Sequence, residues 1–432
     1  MTHEFETLVV GSGPAGIAAA VCAAEHGVRV GLIDDNPSSG GQIWRASTGK
    51  TSDSNHGSAA QWQSRLLASR ITRLQGWSAF DQPASHILRA ERSGEVTDMH
   101  FENLVLATGA RERFLPFPGW TLPNVMGVGA IQAMVKSGLP IGGKRVVIAG
   151  SGPLLLAVAA FLKSAGAQVI CICEQASASQ LLPFALALTA TPGKIVEGLR
   201  YKAATLDIPF HTSAWPLEAT GDGQVRAVTL SIQGKAKQIE CDYVACAFHL
   251  VPNIEFAALI GCEIIAGGVI VDEWQQTSVP GTYCAGEPTG IGGLELSLIE
   301  GQIAGLSVAG QKEKARALFS QREKFKRFAA RLADAFALRP ELKTLPTENT
   351  LLCRCEDVAY GDVREHRSWR AAKLHTRCGM GPCQGRICGA AAEFLLGWNA
   401  SSVRPPVFPA LVSSLASSRA HDEAELQNTH DV

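Results

Sequence analysis

The 432-residue sequence carries little charge. Asp, Glu, Lys and Arg make up 18% of it, and 39 basic residues stand against 40 acidic ones. A chain so balanced has no basic excess to offer a polyanion, so no nucleic-acid partner is expected. No apolar run reaches the ~18–20 residues that cross a bilayer, so no membrane span is expected. The start, Met1-Thr2-His3-Glu4-Phe5-Glu6, lacks the basic residues and apolar stretch of a signal peptide, and a cytoplasmic location is expected. Beyond two Gly-Ser-Gly-Pro units there is no internal repeat, and no low-complexity block stands out.

Glycine is plentiful, at 43 residues. With so few charges this favours an α/β fold with glycine-dependent turns over disorder or coiled coil, and the length allows two to four domains. Of the 12 cysteines, Cys22, Cys171, Cys173, Cys241, Cys246, Cys262 and Cys284 are scattered through apolar segments and read as small buried hydrophobes. The other five, Cys353, Cys355, Cys378, Cys383 and Cys388, crowd into one stretch. Without an export signal that crowding points to a metal or cluster site rather than disulfides.

The first segment is a βαβ unit. The apolar run Thr7 to Val10 enters Gly11-Ser12-Gly13-Pro14-Ala15-Gly16. An Ala-rich helix follows to about His26, and a strand from Val28 to Ile33 ends at Asp34 and Asp35. In such a loop Gly11 permits the tight turn, Gly13 lets backbone approach a pyrophosphate, and Gly16 lets helix and strand pack closely. Asp34 is placed to bind ribose hydroxyls. Two later stretches select FAD as the dinucleotide. Gly40-Gly41-Gln42 brings backbone near the cofactor, and the strand Leu104 to Ala107 ends in Thr108-Gly109. Thr282-Tyr283-Cys284-Ala285-Gly286-Glu287 is a second FAD motif with Glu287 on the ribityl chain. The helix opened by Gly290-Ile291-Gly292-Gly293 would point its amides at the flavin.

A second βαβ unit starts at Arg145 and enters Gly150-Ser151-Gly152-Pro153-Leu154-Leu155, with Glu174 ending its second strand. Leu155 replaces the third glycine. It is expected to push the helix off the strand and crowd the phosphates, leaving open an adenine nucleotide on Glu174 or a fold without ligand. His249, near the end of an FAD-domain strand, reads as structural. The residues from Gln311 to Leu342 read as a charged, solvated linker helix, Thr51 to Ser64 as a polar loop, and the last fifteen or so as disordered.

In the cysteine segment a C-x-C pair, Cys353 and Cys355, is followed by Cys383 and Cys388 in C-x₄-C spacing, on a glycine-rich frame. Four thiolates hold [2Fe–2S] or Zn²⁺; a flavin in the same chain favours the redox cluster over zinc or free thiols. Cys378 shares the C-x₄-C spacing with Cys383, as an alternative to Cys388 or as a spare thiol.

Three strings, Ala107 to Arg113 with Pro116 to Pro123, Gly286 to Gly293, and Cys378 to Gly389, resemble the α (A) subunits of bacterial heteromeric amino-acid and opine dehydrogenases. That family includes the A-type subunits of octopine and nopaline oxidases, the α subunits of D-hydroxyproline dehydrogenases and the B-type subunit of hydrogen cyanide synthase. The resemblance runs over about residues 5 to 410. It implies an α/β two-dinucleotide flavoprotein with a C-terminal domain like bacterioferritin-associated ferredoxin. The expected organisation is an FAD domain in two parts (1–118 and 251–312) around a second dinucleotide fold (119–250). A helical linker (313–347), a [2Fe–2S] domain (348–400) and a tail (401–432) follow. The resemblance further implies a β subunit of the amine-oxidase type with its own FAD, where an amino acid or opine-like amine is oxidised, and a downstream electron acceptor. It leaves room for a small third subunit, an FMN at the subunit interface, and membrane association through the complex. Leu155 looks usual for this family. Val128-Gly129-Ala130-Ile131 departs from its glycine-rich stretch.

The favoured function is therefore an electron-transfer subunit. No cysteine lies between Cys22 and Cys171, so the redox pair that disulfide reductases of this class carry beside the flavin is missing. A self-contained NAD(P)H-dependent flavin oxidoreductase is the alternative, and a non-catalytic scaffold the third reading. No catalytic residue is assigned.

Overall fold

The strand His3–Val10, which buries Leu8 and Val9 completely, pairs in parallel with a neighbour on each side. In the computed structural model, which describes residues 3–44, 56–187, 192–399 and 403–416, this strand is central to one of two units. The first unit comprises Met1–Arg111, Pro252–Ala329 and Ser402–Val432; the second comprises Glu112–Val251 and Ala330–Ser401.

The first unit's sheet runs Ile71–Gln75, Val30–Asp34, His3–Val10, Glu95–Leu106, Ile87–Arg92, Ser78–Ala84. The long strand Glu95–Leu106 changes partners along its length. Its first half pairs antiparallel with Ile87–Arg92, and its last three residues pair in parallel with Thr282–Cys284. The helix Pro14–Ala24 starts on a proline and buries every residue from Ala15 to Ala23. A helix apolar all round must be covered all round. One cover is Gly293–Val308, with Gly301 and Gly305 facing it: a Cβ on either would lie 2.2 Å from the carbonyl oxygen of Ala15 or Ala19. A second is the helix His56–Ala68, which buries Ala59, Trp62 and Leu66. That helix corrects the expected loop over Thr51 to Ser64, whose residues 51–55 lie outside the described ones.

The second unit holds a parallel sheet in the order Phe210–Thr212, Gln168–Glu174, Arg145–Ser151, Tyr243–Phe248, Val125–Gly127. An antiparallel meander, Ala214–Thr220, Ala227–Ile232 and Lys235–Glu240, belongs to the same unit. The cysteine segment adds a short hairpin, Leu351–Cys353 with Val358–Ala359, and the helices Tyr360–Arg364, Trp369–Thr376 and Cys388–Leu396. The Trp120 indole N–H, donating to the Leu351 carbonyl at 2.6 Å, ties the hairpin to the rest of this unit. The expected single linker helix is instead two helices, Lys312–Arg316 and Phe319–Ala335, and a 3₁₀ turn Pro340–Thr344. It is not wholly solvated: Arg322 and Leu342 are buried. No helix among the described residues is long and apolar enough to cross a membrane.

Candidate cofactor sites

In the first loop, contact dictates two glycines. A Cβ on Gly11 would lie 2.2 Å from the Ala107 carbonyl oxygen, and one on Gly16 would lie 1.8 Å from that of Gly11. Gly13 differs. It caps the helix that Pro14 and Ala15 open, has an extended backbone (φ −73°, ψ −177°), and among the described residues a Cβ there would meet only the Gly41 Cα, at 4.0 Å. The fold itself does not require Gly13, which leaves a bare stretch of backbone facing open space, the cradle a pyrophosphate needs. Asp34, buried at the strand end, accepts from the amide and hydroxyl of Ser12 at 2.5 and 2.9 Å and from the amide of Asn36 at 2.8 Å. The turn Gly41–Trp44 is held to the loop by the Gly40 amide donating to the Ser12 carbonyl; Gln42 is exposed.

The Thr108-Gly109 end of the long strand is latched to Asn253. The Thr108 hydroxyl donates to the Asn253 carbonyl at 2.6 Å, the Asn253 side-chain amide donates back at 2.9 Å, and its backbone amide donates to Gly109. Sequence reasoning missed Asn253, because a latch across 145 positions leaves no local pattern. Gly286 (φ +80°) abuts the first helix: a Cβ there would lie 2.8 Å from that of Ala15. Its amide donates to Glu300 at 2.9 Å, as does the Thr289 hydroxyl. Burial pushes the Glu300 carboxyl up to about 7. This acid was also missed, though an acid in the middle of a largely apolar helix is a legible signal. Glu287 accepts from the amides of Gly292 and Gly293 at 3.1 Å each. Those amides, expected to point at a flavin, thus bond the acid of the preceding 3₁₀ turn Glu287–Thr289. Burial raises the Glu287 carboxyl against the effect of the two bonds.

The second loop is built differently. Gly152 takes a positive φ of +104° and the helix begins later, at Leu154. Its first turn is tightened, with the Leu155 amide bonding to Gly152 and Leu156 to Pro153. Leu155 is 1% exposed in the apolar cluster with Val146, Ile148 and Val158. The expected crowding is thus taken up inside the core, where the Leu155 side chain packs against the strand residues Val146 and Ile148, worth about 1.5–3 kcal/mol of burial. Glu174 accepts from Gly152 at 2.7 Å and Ala176 at 2.8 Å, and burial pushes it up to about 7.

A strap of the same unit closes on this loop. The Phe336 carbonyl accepts from the Ser151 hydroxyl at 3.0 Å, the Gln175 amide at 3.3 Å and His249 Nε2 at 2.6 Å. Ser151 and Gln175 stand beside Glu174 in the second loop as Ser12 and Asp35 stand beside Asp34 in the first, so the strap bonds to the neighbours of the acid expected to offer itself to a ribose. His249, whose pKa burial lowers, is hydrogen-bonded as a structural histidine would be, but it follows the strand Tyr243–Phe248 of the second unit rather than an FAD-domain strand. The segment from Val128 forms a helix whose first amides, Gly129 and Ala130, donate to the half-buried Glu112.

All five clustered cysteines converge. Cys353, Cys378 and Cys388 are buried, with sulfurs within 4.8 Å of one another. Cys355 is exposed and Cys383 half-buried, their sulfurs 3.9 Å apart. The frame demands its glycines: a Cβ on Gly381 would lie 2.3 Å from that of Cys355. The Gly379 amide donates to the Cys353 sulfur at 3.5 Å. Hydrogen bonds from the Cys378 and Cys388 thiols hold Cys353 far below the ordinary thiol range. One from Cys388 brings Cys383 down to about 5. Cys355, Cys378 and Cys388 shift the other way, up from the ordinary thiol range; five soft sulfurs gathered in one place nevertheless fit a thiolate-ligated metal or cluster. The seven other cysteines are buried, as expected.

The sequence pattern of the pyridine nucleotide-disulphide oxidoreductase family matches residues 5–311. The chain belongs to this oxidoreductase family. It is 31% identical to the A-type subunit of opine oxidase from Rhizobium meliloti, over 95% of this chain and 98% of that one. It is 30% identical to the HcnB subunit of hydrogen cyanide synthase from Pseudomonas aeruginosa, over 89% and 91%. These two bear out the resemblance to subunits of that group. Among solved structures, L-proline dehydrogenase of P. horikoshii matches 96% of this family member and 80% of its own chain, with a TM-score of 0.68 at 18% identity. Thioredoxin reductase of T. acidophilum matches 72% and 99%, with a TM-score of 0.55 at 22% identity. At those identities they establish the fold alone: α/β, of the Rossmann kind.

Proposed function

We propose that this oxidoreductase is the electron-transfer subunit of a heteromeric dehydrogenase that oxidises the C–N bond of an amino acid or opine-like secondary amine. The amine is oxidised on a partner subunit with its own FAD. In this reading Gly11, Gly13, Pro14, Ala15, Gly16, Asp34, Gly41 and Gln42 hold the adenosine and pyrophosphate end of one FAD, and Thr108, Gly109, Gly286, Glu287 and Gly292 its flavin end. Cys353, Cys355, Cys383 and Cys388 hold a [2Fe–2S] cluster in a ferredoxin-like C-terminal segment. FAD would supply a carrier that accepts two electrons and releases them singly, and the cluster a one-electron outlet. The chain's own residues bind and orient these groups, and no general acid or base is needed here.

One observation carries the reading over its rival: the Phe336 strap on Ser151 and Gln175. An NAD(P)H-dependent reductase needs that corner free for its hydride donor. The names of the similar proteins, subunits of opine oxidase and of hydrogen cyanide synthase, support the same choice, as does the thiol cluster. A downstream acceptor completes the path. Occupancy of the second fold by an adenine nucleotide, an FMN at the subunit interface and a small third subunit belong to the wider proposal.

Anaerobic purification of the chain, alone and co-expressed with a neighbouring amine-oxidase-type gene, tests this. FAD released on denaturation, iron and sulfide in the chain, and a complex in which amine addition reduces both are expected. A folded chain that is colourless and takes up no FAD refutes the proposal.

A further inference from the structure

Resting on the cluster reading above, we infer that Cys378 is a reserve ligand: three thiols, not two, serve the buried iron, and Cys378 or Cys388 can each complete it. A [2Fe–2S] centre takes two protein thiolates per iron. Two thiolates on one tetrahedral metal at about 2.3 Å lie about 3.8 Å apart. The outer pair, Cys355 and Cys383, already stands at 3.9 Å. The inner group offers Cys353, Cys378 and Cys388, all within 4.8 Å of one another and all buried. Closing any two of them onto one iron takes less than about 1 Å of movement. One thiol is therefore surplus.

The chain identifies which two are interchangeable. Cys353 comes from the hairpin Leu351–Cys353, and the Gly379 amide already bonds its sulfur. Cys378 follows the helix Trp369–Thr376 and Cys388 opens the helix Cys388–Leu396, so two helix ends present them to Cys353. Each is separated from Cys383 by four residues, one on either side. Either can thus share the site with Cys353 while Cys383 stays on the outer iron. Exchange breaks one iron–thiolate bond and makes another. The departing sulfur takes a proton from solvent, the arriving thiol gives one up, and no electron moves.

The test uses the full-length chain with Cys378→Ala, Cys388→Ala, the double variant and Cys355→Ala. Alanine excludes ligation by a serine hydroxyl. Iron and acid-labile sulfide are measured after anaerobic reconstitution, with electron paramagnetic resonance of the dithionite-reduced protein. Cys378→Ala and Cys388→Ala should each keep more than half the wild-type iron, the latter with shifted g values. The double variant and Cys355→Ala should keep less than a tenth. FAD content and far-UV circular dichroism establish folding. If Cys388→Ala does not fold, Cys388→Val, which fills the buried space and cannot ligate, takes its place in the same comparison. A Cys388 variant that is folded yet as empty as Cys355→Ala overturns the inference and leaves the cluster reading standing. So does loss of iron from Cys378→Ala, which would make Cys378 obligatory. Wild-type protein with stoichiometric zinc, or with neither iron nor sulfide, overturns the cluster reading and the inference together.

Discussion

Gly13→Ala separates what the fold needs from what the cofactor needs. The backbone at Gly13 is extended, so alanine fits without strain, and among the described residues its Cβ meets nothing nearer than the Gly41 Cα at 4.0 Å. In the cofactor-free protein the change should be neutral or stabilise by about 0.4–1 kcal/mol, because alanine has less unfolded freedom to lose. With FAD present the methyl stands where the pyrophosphate approaches. A hundredfold loss of affinity, about 2.7 kcal/mol, is expected. At an FAD concentration one hundred times its wild-type Kd, the wild type gains about 2.7 kcal/mol of stability and Gly13→Ala about 0.4 kcal/mol. Thermal melts of both proteins with and without FAD, and titration of flavin fluorescence, measure the two effects. Gly16→Ala is the contrast: its Cβ would lie 1.8 Å from the Gly11 oxygen, so it should lose stability even without FAD. If Gly13→Ala binds FAD as tightly as the wild type, the pyrophosphate does not lie on this loop.

Three further outcomes are expected. Micromolar NADH or NADPH under anaerobic conditions should bleach the flavin slowly or not at all, since Phe336 holds Ser151 and Gln175; rapid stoichiometric bleaching restores the reductase reading. Glu300, whose carboxyl rises from 4.5 to about 7 on folding, binds a proton in the folded state that the unfolded chain has released. Stability from this group is full below about 4.5 and lost as pH rises through 7, up to about 3 kcal/mol. Glu300→Gln should therefore flatten the denaturation-midpoint profile between pH 5 and 7; an unchanged slope would show that Glu300 does not titrate there. Cys355→Ser should lose most of the iron and keep FAD, read by metal analysis and the flavin spectrum.

Both βαβ units were legible because their signals are local: a β-branched run, a glycine turn, an apolar helix, an acid at the strand end. The helix His56–Ala68 was equally legible in its apolar spacing, Ala59, Trp62 and Leu66, but its polar residues dominate the composition. Leu155 shows a limit of reading by motif. The third glycine of the first loop is required by a contact with Gly11, whereas in the second loop the helix starts later and Leu155 is buried in the apolar core. The strap could not be read at all, since its acceptor is a backbone carbonyl and any residue could supply it. For the thiols, spacing alone could not choose between Cys378 and Cys388, because each is separated from Cys383 by four residues. Only the folded chain places the two beside Cys353.

Gly301 and Gly305, set against the carbonyls of Ala15 and Ala19, leave no room for side-chain spacers between the two helices. The helix Pro14–Ala24 begins at the proposed pyrophosphate loop and Gly293–Val308 at the proposed flavin end. Side chains that meet tip to tip can slide or rotate, but backbones in contact cannot. The pair therefore works as a fixed gauge, setting the span between the two ends of the site before any ligand arrives. A mononucleotide would reach only one end of that gauge, while a dinucleotide of matching length would meet both with no rearrangement of the helices.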